Sequence, residues 1–218
     1  SNAHVHNSMI NQNSKLNTNT RYLYDIINEY SEKLLNKFPK KLNKIFFVCT
    51  GSEANDLAYR IAQTYTNSKD VFVIDNAYHG HTNSLIDLSP YKFNGKGGLG
   101  KKNYVHVLDM PDPLRGKWRY EDKDWIKKYI NDAKDQIKKQ SKIKKISSLF
   151  VESILGCGGQ VILPINYLLI IFLIKFILEF IIYIIGSIKF KNKKNPIMFM
   201  FWNIIEIPYV VFMGIGSF

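Results

Sequence analysis

The feature that most constrains this chain is an apolar run that breaks on a Gly-Ser pair and resumes at helical spacing. Ile45-Phe46-Phe47-Val48 is β-branched and aromatic, and it predicts a strand buried inside a sheet. Thr50, Gly51 and Ser52 break the run. Ser52, followed by Glu53, Ala54 and Asn55, predicts a helix start with a hydroxyl cap and an acidic first turn. Leu57, Ala58, Ile61, Ala62 and Tyr65 continue with the period of a helix. A strand that turns into a helix presents free backbone N–H groups and the positive end of the helix dipole, a ready site for an anion such as phosphate. An ordinary strand-to-helix turn with a serine cap has the same pattern, so the turn alone does not decide.

The remainder of the chain supplies the context. Residues 4–20 are polar and rich in Asn and Thr, and Lys15 to Tyr22 reads as a loop. Tyr22 to Phe38 carries Leu23, Ile26, Ile27, Tyr30, Leu34 and Leu35 at helical spacing, ended by Pro39. Asp70 to Asp75 is a second buried strand, leading into the polar turn Asn76-Ala77-Tyr78-His79-Gly80-His81-Thr82. Residues 83–103 read as irregular. Their glycines, Gly95, Gly97, Gly98 and Gly100, lack the flanking strand and helix of a dinucleotide fingerprint and predict a surface loop. Tyr104 to Leu108 alternates like a short strand. Tyr120 to Gln140 predicts a helix with Trp125, Ile126, Tyr129, Ile130, Ala133 and Ile137 on one face, and Ile146 to Val151 a further buried strand with Glu152 at its end.

Strands alternating with helices imply an α/β fold with a mostly parallel sheet covered by helices on both faces. Ligands of such sheets sit beyond the carboxyl ends of the strands, where Gly51-Ser52, Tyr78-His79 and Glu152 all fall. Taken alone, His79 reads as a hydrogen-bonded turn histidine and Glu152 as half of a strand-end salt bridge.

Composition narrows the function. The 218 residues suffice for one domain with a real core. The net charge of +12 comes largely from lysines between Lys117 and Lys145 and from Lys189 to Lys194. These look like a solvated helix face and a polar flank, and no basic stripe interleaved with aromatics points to nucleic acid. Cys49 and Cys157 are too few and too far apart for a zinc site or a disulfide framework. They suit a reducing compartment as small buried hydrophobes. No signal peptide is visible, and Ser1-Asn2-Ala3 resembles a cloning scar.

Three motifs carry a resemblance: Gly51-Ser52-Glu53-Ala54-Asn55-Asp56, Asp75 to Thr82, and Val151-Glu152-Ser153-Ile154-Leu155-Gly156-Cys157-Gly158-Gly159-Gln160. In this order and spacing they resemble the class III pyridoxal-phosphate aminotransferases. Lys15 to Leu23 is similar to the branch of ethanolamine-phosphate and phosphohydroxylysine phospho-lyases. The resemblance runs from about Asn7 to Tyr167 and implies the large domain of a fold-type I pyridoxal-phosphate transferase, incomplete here. It implies that Gly51 and Ser52 hold the phosphate of pyridoxal 5'-phosphate, that Tyr78 stacks on its pyridine ring with His79 beside it, and that Glu152 lies near the ring. It places Arg21 and Tyr22 near the mouth of an amine-substrate site. It further implies a homodimer in the cytoplasm or mitochondrion.

The family pattern also requires an aspartate that keeps the pyridine nitrogen protonated and a lysine that forms a Schiff base with the cofactor. Neither is found, and no catalytic residue is assigned. Where the lysine is expected after Met213-Gly214, the chain has Ile215. Three segments follow: 1–40 as an N-terminal loop and helix, 41–167 as a partial cofactor-binding domain, and 168–218 as an apolar tail of low diversity. Between Ile165 and Met200 there is no Ala, Val, Thr, Asp, Gln or Arg. Residues 168–200 admit three readings: a membrane span over Leu168 to Ile185 flanked by Lys189 to Lys194, a buried core helix, or translated A/T-rich non-coding sequence such as a retained intron or a shifted frame. Lys175 and Glu179, one helical turn apart, make a span costly. The expectation is a phospho-lyase-like transaminase-family chain with little activity as it stands. The alternative is a non-catalytic relative that acts as a binding or membrane-tethered protein.

Overall fold

The computed structural model describes residues 2–19, 21–40, 42–174 and 177. These fall into two units, residues 1–46 and 47–218. The first carries helices α1 (Ala3–Lys15) and α2 (Asp25–Leu35). Helix α1 lies within the polar residues that composition alone leaves without structure. The Asn2 side chain caps it by accepting from the His4 and Val5 N–H groups. Helix α2 is the amphipathic helix expected from Leu34, Ile27 and their neighbours.

The second unit is built on strand β1 (Asp70–Ile74), flanked by β2 (Val105–Leu108) and β3 (Ile146–Phe150) in the order β2-β1-β3. Both pairings are parallel. The connections run through helices: α4 (Asn83–Asp87) and α5 (Pro90–Phe93) before β2, and α6 (Trp125–Ile143) before β3. A short antiparallel pair, β4 (Ile154–Leu155) and β5 (Val161–Ile162), follows.

After Asp70, strand β1 is apolar because both of its faces are covered. Val71 and Val73 pack with Tyr59 of α3 (Gly51–Thr66), Leu85 and Leu88. Phe72 and Ile74 face Tyr129, Ile130, Ala133 and Ile137 of α6. A sheet sandwiched in this way is the reason a parallel strand reads as a continuous hydrophobic run. Residues 165–174 are helical, and Tyr167, Ile171 and Ile174 join the α6 face of the core.

Four expectations need correction. Ile45 to Val48 forms no strand: residues 42–48 are exposed or half-buried, and no strand among the described residues lies beside them to complete a ladder. Ser52 is not the helix cap. Thr50 is the cap, accepting from the Glu53 N–H, and the helix already begins at Gly51. Residues 83–103 contain α4 and α5, short helices whose few turns are too brief to show a period. Both cysteines are exposed, Cys49 just before the Thr50 cap and Cys157 in the tight turn between β4 and β5. The span reading of 168–185 falls partly outside the described residues, among which no helix is long and apolar enough to cross a membrane.

Candidate functional site

The site begins where α3 meets the loop that leaves β1. A helix leaves its first N–H groups without intrahelical partners, here those of Gly51 and Ser52 at the positive end of a 16-residue helix. The loop Tyr78 to Thr82 is drawn onto this end. His81 N–H donates to Ser52 Oγ at 3.2 Å, and His81 Nδ1 pairs with the same oxygen at 2.9 Å. Asn55 Nδ2 donates to the His79 carbonyl at 2.8 Å. Ser84 Oγ donates to Asp56 one turn further along. Gly80 makes the close approach possible. Its φ is +144°, and a Cβ there would lie 2.8 Å from Ser52 Oγ and 2.5 Å from Leu85 Cδ1.

Tyr78 is anchored from the opposite side. Its N–H donates to Glu152 Oε1 at 2.5 Å, while Glu152 Oε2 accepts from the Gly156 N–H at 3.2 Å. Glu152 therefore holds two main-chain segments rather than a cation. Burial pushes its carboxyl up from the ordinary range, and the two N–H donors pull partly back. The Gly156 turn is itself fixed by Arg115. That guanidinium binds the buried Asp112 carboxylate through Nε at 2.8 Å and donates from Nη2 to the Gly158 carbonyl, also at 2.8 Å.

His79 points inward. It is only 6% exposed, its ring lies 5.6 Å from that of Phe150, and its Nε2 has no hydrogen-bond partner among the described residues. Burial lowers its pKa to about 4, so the ring is neutral near pH 7. Its N–H donates to Ser89 Oγ at 2.9 Å.

Gly51, Ser52, Tyr78, His79 and Glu152 are thus joined through one loop. Arg21 and Tyr22 lie in the other unit, where Arg21 N–H donates to Asn19 Oδ1 at 3.0 Å and both residues are exposed. Sequence reasoning missed Asn55, His81 and Arg115 as contributors. For Asn55 and His81 the signal was present, since both stand inside the quoted motifs. For Arg115 no local pattern marks the contact. A cavity of about 620 Å³ opens beyond the ends of β1 and β2, lined by Asp75, Asn76, Asp109, Arg115 and Cys157 among others; none of the expected site residues lines it.

Residues 1–171 match the family described as Aminotransferase class-III. An alanine–glyoxylate aminotransferase 2-like protein of Drosophila melanogaster is 41% identical over 160 residues, 72% of this chain and 32% of the relative. An ethanolamine-phosphate phospho-lyase homolog of Caenorhabditis elegans is 37% identical over 159 residues, 68% of this chain and 34% of the relative. The chain thus spans about a third of the length of these relatives. Among solved structures, a phospholyase from Arthrobacter in complex with phosphoethanolamine superposes with a TM-score of 0.65 at 29% identity, covering 78% of this chain and 40% of that one. With the motifs, the parallel sheet and this match in agreement, the chain belongs to the class III aminotransferase family.

Proposed function

We propose that this chain carries the pyridoxal-phosphate cup of a phospho-lyase-like class III enzyme acting on a phosphorylated primary amine. The observation that carries the reading is the seam at the start of α3, where Ser52, Gly80 and His81 close on one helix end. The residues present fit the cofactor. Gly51 and Ser52 offer main-chain N–H groups to a phosphate dianion, and the Ser52 hydroxyl is already oriented by His81. Tyr78 offers an aromatic plane whose main chain is fixed by Glu152. Gly80 leaves no room for a side chain between loop and helix.

When bound, pyridoxal phosphate supplies an electron sink for charge developing beside the substrate nitrogen. This chain's own residues bind the phosphate, set the ring plane and hold the loop. Arg21 and Tyr22 are the proposed contacts at the substrate mouth. Ile215 stands where the family's Schiff-base lysine is expected, and on this reading the cofactor is held without a covalent bond and turnover is low. The family further suggests a homodimer, and relatives named as mitochondrial make the mitochondrion or cytoplasm the proposed location.

Equilibrium dialysis with pyridoxal phosphate tests the reading. Wild type should retain cofactor, Ser52→Ala should lose about tenfold in affinity, as for one charge-assisted hydrogen bond, and borohydride should fix no adduct on a single lysine. Wild type that retains no cofactor would sink the cup. A stable adduct confined to one lysine would sink the non-covalent part alone.

A further inference from the structure

The cavity beyond β1 and β2 has no part in the cup, yet it sits where a parallel sheet takes ligands. The chain leaves β1 toward α4 and α5, which pack on the Val71 and Val73 face, and leaves β2 toward α6, which packs on the Phe72 and Ile74 face. Neighbouring strands whose connections part to opposite faces open a crevice at their carboxyl ends. The cavity of about 620 Å³ fills that crevice.

One wall is acidic. Ile74 and Leu108 are register partners, and Asp75 N–H donates to the Leu108 carbonyl at 2.8 Å. Asp75 and Asp109 therefore leave the two strands side by side, one strand spacing of about 5 Å apart, and both line the cavity. The Asp75 oxygens accept from the Asn76 N–H and Nδ2 at 2.9 and 3.1 Å, and Asp75 pairs with no cation among the described residues. Asp109 has only Lys117, at 3.6 Å. A chain of net charge +12 thus leaves two carboxylates short of cations at one spot.

The donors of the same cavity are under-used as well. Arg115 spends Nε on Asp112 and Nη2 on the Gly158 carbonyl, and its Nη1 has no hydrogen-bond partner among the described residues. Lys117 Nζ lies over the Trp118 ring at 4.5 Å and approaches Asp109 and Asp132 at 3.6 and 3.7 Å, too far for a hydrogen bond. Tyr129 is only 1% exposed. Its hydroxyl accepts from the Trp118 N–H at 3.3 Å, and its own proton meets no acceptor among the described residues. A buried hydroxyl ordinarily spends its donor, and this one belongs to the cavity wall.

We propose that the crevice is a binding site, separate from the cup, for a small dipolar ion bearing an ammonium and a carboxylate. Asp75 and Asp109 take the ammonium. Arg115 Nη1, Lys117 Nζ and the Tyr129 hydroxyl take the carboxylate. Each end meets groups that lack a partner of its kind. The ligand is held and not transformed, and the site stands whether or not the cup takes cofactor. Its occupant braces Asn76 and Gly158, which lie two residues from Tyr78 and Gly156, the segments that Glu152 clasps.

Cys157 lines the cavity and is exposed, while Cys49 is exposed and lies outside its lining, so the chain carries its own reporter and control. The probe is α-aminoisobutyrate, whose α-carbon has no proton to lose; isobutyrate and isopropylamine present one charged end each. At about 10 mM, tenfold above a Kd of about 1 mM, the probe should slow iodoacetamide alkylation of Cys157 in the full chain about tenfold and leave Cys49 within about twofold, read by peptide mass spectrometry. Isobutyrate and isopropylamine should protect little. Asp109→Asn keeps the side-chain shape and should weaken protection about tenfold, the pattern of one lost charge-assisted contact. Asp135→Asn removes the same charge away from the cavity and should leave protection unchanged. An unslowed Cys157 overturns the proposal. So does equal slowing of Cys49, which would mark a change in the whole chain. Full protection by either single-charged compound overturns the dipolar ligand, and equal losses in Asp109→Asn and Asp135→Asn would reduce the site to the general field of the protein.

Discussion

His79 and Glu152 show how one loop can carry two residues with opposite responses to pH. The buried imidazole of His79 has its pKa lowered from 6.5 to about 4 by desolvation. Between these values the unfolded chain binds the proton and the folded chain does not. Stability from this residue is therefore complete above about pH 6.5 and declines as pH falls toward 4. A shift of this size is on the order of 3 kcal/mol. Glu152 acts the other way. Burial raises its pKa, so its contribution is fullest below the ordinary carboxylate range and declines as pH rises through the raised value. Denaturant unfolding of wild type and His79→Gln at a series of pH values separates the two: the loss of stability as pH falls from 6.5 to 4 should shrink in the variant, while the decline as pH rises out of the ordinary carboxylate range should remain. An identical profile in both proteins would show that His79 is not the titrating group. Neither behaviour is legible in the sequence, where His79 looks like a polar turn residue. Its burial depends on Phe150, 71 positions away in the numbering.

Helix α3 and the loop after β1 form the element on which the site depends, and Gly80 is the point where they touch. Gly80→Ala would place a methyl 2.5 Å from Leu85 Cδ1 and 2.8 Å from Ser52 Oγ, on a backbone with φ +144° that side chains rarely adopt. Steric and dihedral strain together should cost about 2–4 kcal/mol in urea unfolding, and cofactor retention should fall as Ser52 is displaced. Retention at the wild-type level would show that the seam is not part of the cup. At this scale the sequence was informative. The motif around Gly51-Ser52 and the one around Tyr78-Gly80 were recognisable, and helix α3 lies where the 3.6-residue period put it. The cap was misassigned by two residues because Thr50 and Ser52 are equally good cap types, and only the backbone of Thr50, with φ −145° and ψ 159°, settles it. The strand over Ile45 to Val48 failed for a different reason: apolar, β-branched residues favour a strand only when a neighbour supplies the ladder.

For the molecule as a whole, the parallel order β2-β1-β3 and the helices on both faces follow the alternation visible in the sequence. Less visible was how far the core continues past Tyr167. Low residue variety hides an ordinary amphipathic pattern over 165–174, in which Ile171 is 2% exposed and Leu173 57%. Ile171→Ala should cost about 2–4 kcal/mol of unfolding free energy, and Leu173→Ala less than about 0.5 kcal/mol. Equal effects would mean that this helix is not docked on the α6 face. The clasp between Glu152 and Tyr78 also bears on the order in which the fold assembles. Ser52 and His81 are 29 residues apart, whereas Tyr78 and Glu152 are 74 apart. Closing the longer loop costs about 0.8 kcal/mol more chain entropy, and it must wait until α6 and β3 have formed. In the proposed cup, the rim at the start of α3 would then come together before the aromatic side is fixed. A phosphate group would meet its rim in that interval before its ring had anywhere to rest.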